Sequence, residues 1–382
     1  MKNKNQNKIV FVAMSGGVDS SVAALLLKRQ GLNVVGVFMR NWTVKVPGLI
    51  HCPWEEDQRF ARQAAAQIGI PLYTWDFEKE YQEEVFKYFL ESYKKGETPN
   101  PDVVCNKKIK FGLFLKKAKK LGADFIATGH YARLKRARIK NKELRIKKNK
   151  PSFIIRNSLF MAHDVNKDQS YFLWTLTQKQ LKHCLFPLGD LTKPEVRKIA
   201  KRAGLVTAAR KDSQGLCFVG PISLKEFLRP YLEEKSGRIV LVEFNKNGIK
   251  KERLIGGHRG VHLFTLGQRQ GIRVGGGTPY YVAKKEIKKN ILYVCAKKDL
   301  PKFFPTKIKI KQANWINSGS VRFPLKCRAR YRYRQPLQSV KVIKNKTNKF
   351  EVVFTKPAVA ITPGQSIVFY KNKTLLGGGV IE

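Results

Sequence analysis

Two cysteines, one carboxylate and one glycine-rich turn supply the residue types in this chain that could do chemistry. Ser15-Gly16-Gly17-Val18-Asp19-Ser20-Ser21 separates an unbroken apolar run, Ile9 to Met14, from an Ala/Leu-rich stretch that begins at Val22. Strand, glycine turn and helix in that order aim backbone N–H groups and the positive end of a helix at an anion. Two adjacent glycines let the backbone approach that anion without a Cβ in the way. No lysine follows the second glycine, so this is not the GxxxxGK[ST] loop. A turn in an ordinary parallel sheet would explain Gly-Gly alone, but it does not call for the full string.

The sulfur chemistry centres on Thr98-Pro99-Asn100-Pro101-Asp102-Val103-Val104-Cys105, where two prolines fix the backbone and are expected to hold Asn100, Asp102 and Cys105 in a stiff loop. Lys107–Leu121 is amphipathic, so Cys105 is expected beside a helix N-terminus with Lys107 and Lys108 just beyond it. Both features favour the thiolate. At a reference pKa of about 8.5 only a few per cent of a thiol is ionised at neutral pH, so such help matters. A buried structural cysteine is the plainer alternative. Cys217 lies between Gly215 and Gly220 in a polar segment that reads as a loop able to swing. A lone loop cysteine merits little notice, and this one gains weight from a possible partner in Cys105.

The elements that must position these groups follow from periodicity. Apolar runs at Asn33–Met39, Pro71–Trp75 and Asp124–Thr128 alternate with helical patterns at Glu55–Ile68 and Glu80–Lys95, which indicates an α/β parallel sheet. Loops at the carboxyl ends of such strands line the ligand crevice, which places Met39 and Gly129 there. Arg133–Arg156 is hyperbasic and is expected to project as a hairpin or loop, either as a solvated insertion or as an RNA contact. A further helix is expected over Lys193–Gly204. Near residue 220 the character changes to short β-rich runs with glycine turns, including Leu263–Thr265. From Thr306 several strand patterns suggest a small β-barrel. The domains are drawn at 1–220, 221–299 and 300–382. Arg328, Arg330, Tyr331, Arg332, Tyr333 and Arg334 crowd one expected strand, Lys326–Tyr333, whose alternation would put cations on one face and aromatics on the other. Such a surface suits phosphates and stacked bases.

The chain has 382 residues and a net charge of +47, from 75 Lys+Arg against 28 Asp+Glu. Part of that excess is explained by a general bias toward lysine, and the rest favours a polyanionic partner, nucleic acid above all. No apolar run is long enough to span a membrane, and the basic N-terminus lacks the apolar core of a signal peptide. Of the six cysteines none forms CxxC, and no Cys/His cluster has zinc spacing, so no protein-built metal site is expected. Reduced thiols in a cytoplasmic protein are expected. Oligomeric state is not legible, with a monomer as the working expectation.

SGGVDSS resembles the pyrophosphate-binding loop of the ATP pyrophosphatases. Together with NPDVVCNKKIKF at Asn100–Phe111, ATGHYAR at Ala127–Arg133, KDQSYFL at Lys167–Leu173, DSQGLCFVG at Asp212–Gly220, TLGQRQG at Thr265–Gly271, RYRQ at Arg332–Gln335 and TPGQ at Thr362–Gln365, it makes the whole chain resemble the bacterial tRNA-specific 2-thiouridylases. The resemblance implies a Rossmann-like α/β ATP-pyrophosphatase domain, a small mixed central domain and a C-terminal β-barrel. It implies ATP- and Mg²⁺-dependent sulfur insertion at C2 of uridine 34 in the tRNAs for Lys, Glu and Gln. Ala13, Met14, Ser15, Gly16, Gly17, Val18, Asp19 and Ser20 would hold the nucleotide together with Met39 and Gly129, with Asp19 near Mg²⁺. Cys217 would carry a persulfide loaded by a sulfur-carrier protein, and Cys105 would assist its transfer through a transient disulfide. Asp102 would act as acid or base, and Asn100, Pro101 and Asp102 would contact the target base. His130, Lys167, Asp168, Gln169, Arg332, Tyr333 and Gln365 match tRNA-contacting positions around the anticodon stem–loop. An iron–sulfur cluster on Asp102, Cys105 and Cys217 is the alternative cofactor within the same residues. A synthetase acting on a small metabolite, or an RNA-binding module without catalysis, are the alternatives from other classes.

Overall fold

The computed structural model describes residues 7–43, 53–140, 153–211 and 224–382, apart from 246, 249, 273, 276–278 and 348. Strands β1 (Ile9–Ala13), β2 (Asn33–Arg40), β3 (Leu72–Asp76) and β4 (Phe125–Ala127) lie in one parallel sheet with β7 (Cys184–Leu185), in the order β3-β2-β1-β4-β7. Val10 and Val12 are fully buried and Phe11 and Ala13 nearly so, because helices cover both faces, as parallel sheets require. Helix α1 (Val18–Arg29) follows β1 and is built from strong helix formers. Asp19 in its first turn and Lys28 and Arg29 in its last complement the helix dipole. Helix α2 (Pro53–Ile68) buries Ala61, Ala64, Ala65 and Ile68, a stripe at helical spacing.

β1 is flanked by β2 and β4, so the chain order reverses beside it. Such a reversal opens a crevice at the strands' carboxyl ends. The Ser15–Gly17 turn after β1 and the Thr128–Tyr131 segment after β4 both fall there.

Strands β5 (Arg133–Lys140) and β6 (Phe153–Phe160) pair as the basic hairpin expected from sequence, and β6 pairs at Thr374 with the last strand of the barrel, Thr374–Ile381. The central domain is a four-stranded sheet of β8 (Gly237–Phe244), β9 (Lys250–His258), β10 (Tyr280–Glu286) and β11 (Ile291–Ala296), ordered β10-β11-β8-β9. The Leu263–Thr265 strand expectation is corrected: the chain makes a short 3₁₀ turn at Val261–Leu263 and then a bend at Gly267, where φ is 80°. The C-terminal domain comprises β12 (Lys307–Trp315), β13 (Leu325–Arg330), β14 (Gln338–Lys344), β15 (Phe350–Phe354), β16 (Ser366–Lys371) and β17 (Thr374–Ile381). Pairing of β12 with both β15 and β17 closes these strands into a barrel without free edges.

The expected strand over Lys326–Tyr333 ends at Arg330. Gln335 accepts from the Tyr331 N–H and donates its own N–H to the Arg332 carbonyl, turning the chain so that Arg334 takes φ 63°. The alternation therefore fails: Arg330 and Tyr331 are buried, whereas Arg332 and Arg334 stand exposed on a turn.

A polar seam joins barrel to first domain. Asp168 is wholly buried, accepts from the N–H groups of Ala162 and Ser170, and lies 3.4 Å from the equally buried Arg330 guanidinium. Ser170 meets the Tyr370 hydroxyl at 3.1 Å, Tyr171 donates to the Ser366 carbonyl and Trp174 to the Ser366 hydroxyl. Burial pushes the Asp168 carboxyl up, while those donors and Arg330 pull it back. Asp168→Ala is expected to cost about 3–5 kcal/mol, because it strands a buried guanidinium. Equilibrium urea unfolding would measure it, and a loss under about 1 kcal/mol would mean the seam contributes little.

Candidate active site

Gly17 sits at the N-cap of α1 and has no side chain with which to cap the first-turn N–H groups, which stay available to an anion. Gly16 has φ 74°, and a Cβ there would overlap the Asp57 carbonyl of α2. Only glycine fits this close approach. Arg210 fastens the same point: it donates to the Gly16 carbonyl at 2.9 Å, pairs with Asp57 and lies over the Phe60 ring. Inside the turn, Ser20 Oγ accepts from the Ser15 N–H and donates to the Gly17 carbonyl. Ala13, Met14 and Val18 bury their side chains in the core, so they offer the site main chain alone, while Ser15 is exposed.

Asp19 is the charged member of the turn. Its carboxylate accepts from Lys193 Nζ at 2.7 and 2.9 Å and from the Tyr131 hydroxyl at 2.8 Å. Lys193 opens the helix Lys193–Arg202 and is buried, although in sequence it reads as an ordinary first-turn lysine. Nothing local marks it, because its partner is distant in the chain. Gly129 has a structural reason for its type: a Cβ would come within 2.8 Å of the Asp19–Ser20 main chain. Met39, at the end of β2, is half-buried and packs on the neighbouring core.

The Asn100–Cys105 segment is a helix start rather than the stiff loop expected. Asn100 is the N-cap, its Oδ1 accepting from the Val103 N–H at 3.3 Å, and Pro101 occupies the first turn, where its missing N–H costs nothing. The helix Pro101–Cys105 runs on through wide π turns, Asn106–Phe114, into Leu115–Lys120. Cys105 is thus the fifth residue of a helix that begins at Pro101, not a residue just ahead of a helix starting at Lys107, and it is buried. Lys107 and Lys108 face solvent, and Lys108 pairs with Glu84. Lys110 is the lysine that acts on the site, its charge felt by both Asp102 and His130. Burial raises the Asp102 carboxyl above its usual range, opposed by Lys110. Burial, with Lys110 added, drives His130 well below its usual value, so its imidazole is neutral.

His130, expected among surface contacts, is instead buried, hydrogen-bonded to Thr128 Oγ1 through Nδ1 at 2.7 Å and set beside Phe111 and Phe186. Asp168 is likewise interior, as the domain seam requires. Gln169 fixes the neighbouring loop, accepting from the Tyr131 N–H and donating its own N–H to the Tyr131 carbonyl. Lys167, at the edge of that loop, is half-buried. Cys52 and Cys217 lie outside the described residues. Cys184 and Cys295 are buried and Cys327 half-buried, and all three have thiols pushed up by burial.

Motifs remote in sequence meet at a pocket of about 320 Å³ beside Asn100. Thr98, Asn100 and Tyr171 come from the first domain, the Thr265–Gln268 turn from the central domain, and Arg332, Tyr333 and Gln365 from the barrel. Gln365 donates to the Pro99 carbonyl, and Arg332 donates to the carbonyls of Leu266 and Ala360. Thr265 and Gln268 were not singled out as site residues from sequence, although their TLGQ turn stood among the motifs.

Comparison with known proteins matches three domain families in order along the chain. These are the tRNA methyl transferase HUP domain at residues 8–221, the tRNA methyl transferase PRC-barrel domain at 225–296 and the aminomethyltransferase beta-barrel domain at 305–381. The tRNA-specific 2-thiouridylase MnmA of Halalkalibacterium halodurans is 46% identical over 382 residues, covering 100% of this chain and 96% of that protein. That of Bacillus licheniformis is 46% identical over 385 residues, covering 100% and 97%. That of Alkaliphilus oremlandii is 45% identical over 376 residues, covering 98% and 96%. Similarity of this extent, from end to end and through all three domains, makes the chain a member of the tRNA-specific 2-thiouridylase family.

Proposed function

We propose that this enzyme thiolates C2 of wobble uridine 34 in the tRNAs for Lys, Glu and Gln, spending ATP and taking sulfur from a cysteine persulfide. The observation that carries the reading is a run of linked groups: Asp19 on the anion turn, Tyr131 bonded to it, His130 next in sequence, and Lys110, whose charge acts on both His130 and Asp102. These links support reading the anion cradle together with a half-buried carboxyl one turn before a thiol.

Bound with Mg²⁺, ATP supplies an adenylyl group that turns the uridine C2 oxygen into a leaving group. The donor set suits a metal that arrives with phosphate: no cluster of three or more His, Cys, Asp or Glu lies among the described residues, and Asp19 supplies one carboxylate at the cradle. Mg²⁺ is commonly held by one or two carboxylates plus phosphate oxygens. The N–H groups of α1 and Lys193 neutralise phosphate charge. Asp102, its carboxyl raised by burial, holds a proton to higher pH than an exposed carboxylate and can pass it at the C2 oxygen. The outer sulfur of a Cys217 persulfide, loaded by a sulfur-carrier protein, bonds to C2 as AMP leaves. The Cys105 thiolate then takes Cys217 Sγ, breaking its bond to the transferred sulfur, and a thiol reductant returns the Cys105–Cys217 disulfide to two thiols. Because a stacked base is out of reach, uridine 34 splays out toward Asn100, Pro101 and Asp102. Lys167, Gln169, Arg332, Tyr333 and Gln365 take the surrounding tRNA, with His130 and Asp168 supporting them from inside.

Mass spectrometry of nucleosides from tRNA incubated with the protein, ATP, Mg²⁺ and a persulfide source is expected to show 2-thiouridine that vanishes when ATP is omitted. Thiolation indifferent to ATP would overturn the reading. Stoichiometric iron and acid-labile sulfide, required for activity in anaerobically purified protein, would replace the persulfide relay with a cluster.

A further inference from the structure

One ammonium joins the roots of two walls of the three-domain pocket. Lys285, near the end of strand β10, donates from Nζ to the carbonyl oxygens of Gly96 and Phe264, each at 2.8 Å. Gly96 lies two residues before Thr98, and Phe264 immediately precedes Thr265, so both acceptors sit at the roots of pocket walls. Ile287 completes the contact: Gly96 has φ 71°, and a Cβ there would overlap Ile287 Cδ1. Burial lowers the Lys285 ammonium to about 8, so most of it is charged at neutral pH. A charged donor shared by two carbonyls is stronger than the neutral bonds around it. The remaining seams are tied separately, by the Thr98 N–H to the Pro363 carbonyl, by Lys311 to Glu97 and by Arg332 to Leu266 and Ala360.

We propose that Lys285 is a positioning residue that sets the gap between the Thr98–Asn100 wall and the Thr265–Gln268 wall, and so the fit of the tRNA nucleotide received there. It touches no substrate and acts through the two carbonyls. The inference rests on the reading that this pocket takes tRNA, and the test separates the two.

Lys285→Met keeps the aliphatic stem and removes both donors. The dissociation constant for an unmodified tRNA transcript at fixed salt is expected to rise about tenfold, with ATP affinity unchanged. Lys285→Arg, which can reach both carbonyls, is expected to recover most of the loss; a merely structural prop would weaken both ligands together. Should the methionine variant not fold, Lys285→Gln, able to reach one carbonyl, is expected to give an intermediate loss. Tyr333→Ala serves as the control on the pocket itself. If it weakens tRNA binding while the foldable Lys285 variants bind as wild type, the positioning role is overturned. If Tyr333→Ala leaves tRNA binding unchanged, the assignment of the pocket to tRNA is overturned, and the Lys285 proposal with it.

Discussion

Lys193→Met is expected to lower tRNA-dependent pyrophosphate release by about two to three orders of magnitude, the usual effect of removing one preorganised donor from developing charge. Lys193 Nζ reaches both oxygens of Asp19, in the first turn of α1, and so joins Arg210, on the Gly16 carbonyl, as a cation tied directly to the cradle. In the resting arrangement its charge is balanced by Asp19. With the Asp19 carboxylate engaged by a metal-bound triphosphate, the Lys193 ammonium would hold phosphate oxygens. The variant leaves Asp19 bonded to Tyr131 and one-third exposed, at 34%, so the carboxylate can still be hydrated and the fold should survive. Pyrophosphate release at saturating ATP and tRNA, together with a melting curve, measures the effect. A well-folded variant with activity within about threefold of wild type would show that the pair is only a brace.

Cys105→Ser is expected to abolish thiolation while pyrophosphate release stays within a few fold of wild type. The thiol and hydroxyl differ little in volume, and the helix start is held independently by Asn100 and Pro101, so the geometry of the segment persists. A serine hydroxyl is not ionised at neutral pH and does not attack a sulfur–sulfur bond, so the transferred sulfur cannot be released. Cys217→Ser should block the same chemistry one step earlier, by removing the atom that carries the persulfide. Retardation of thiolated tRNA on a mercury-containing gel, run beside a pyrophosphate assay, separates the two half-reactions. Thiolation by either variant from a protein persulfide donor would sink the relay.

Much of the architecture follows from local rules. The Ile9–Ala13 strand, the turn at Gly16 and Gly17 and the Ala/Leu-rich helix were legible because an apolar run, a glycine needing positive φ and a helix-forming stretch each act within a few residues. The alternation of strands and helices announced the parallel sheet, and the short runs after residue 306 announced the barrel, for the same reason. Where local pattern misled, a long-range partner had prevailed. Arg330 and Asp168 look like surface groups by type, yet each is buried because the other is there. Asn100-Pro101 misled for a local reason instead: the Asn100 side chain caps the Val103 N–H three residues on and so starts a helix where a stiff loop was expected.

The sequence alone determined the family and the anion turn, since these rest on residue types at fixed short spacings. Only the tertiary structure decided which side chains surround them. The Lys193–Asp19 pair, the Arg210 clamp on Gly16, the Lys285 bridge and the pocket beside Asn100 all join residues far apart in the chain. The physical reason is that spacing along a strand or helix dictates the face a residue occupies, whereas its partner across the fold is chosen by how strands order, domains dock and buried charges find their counterions.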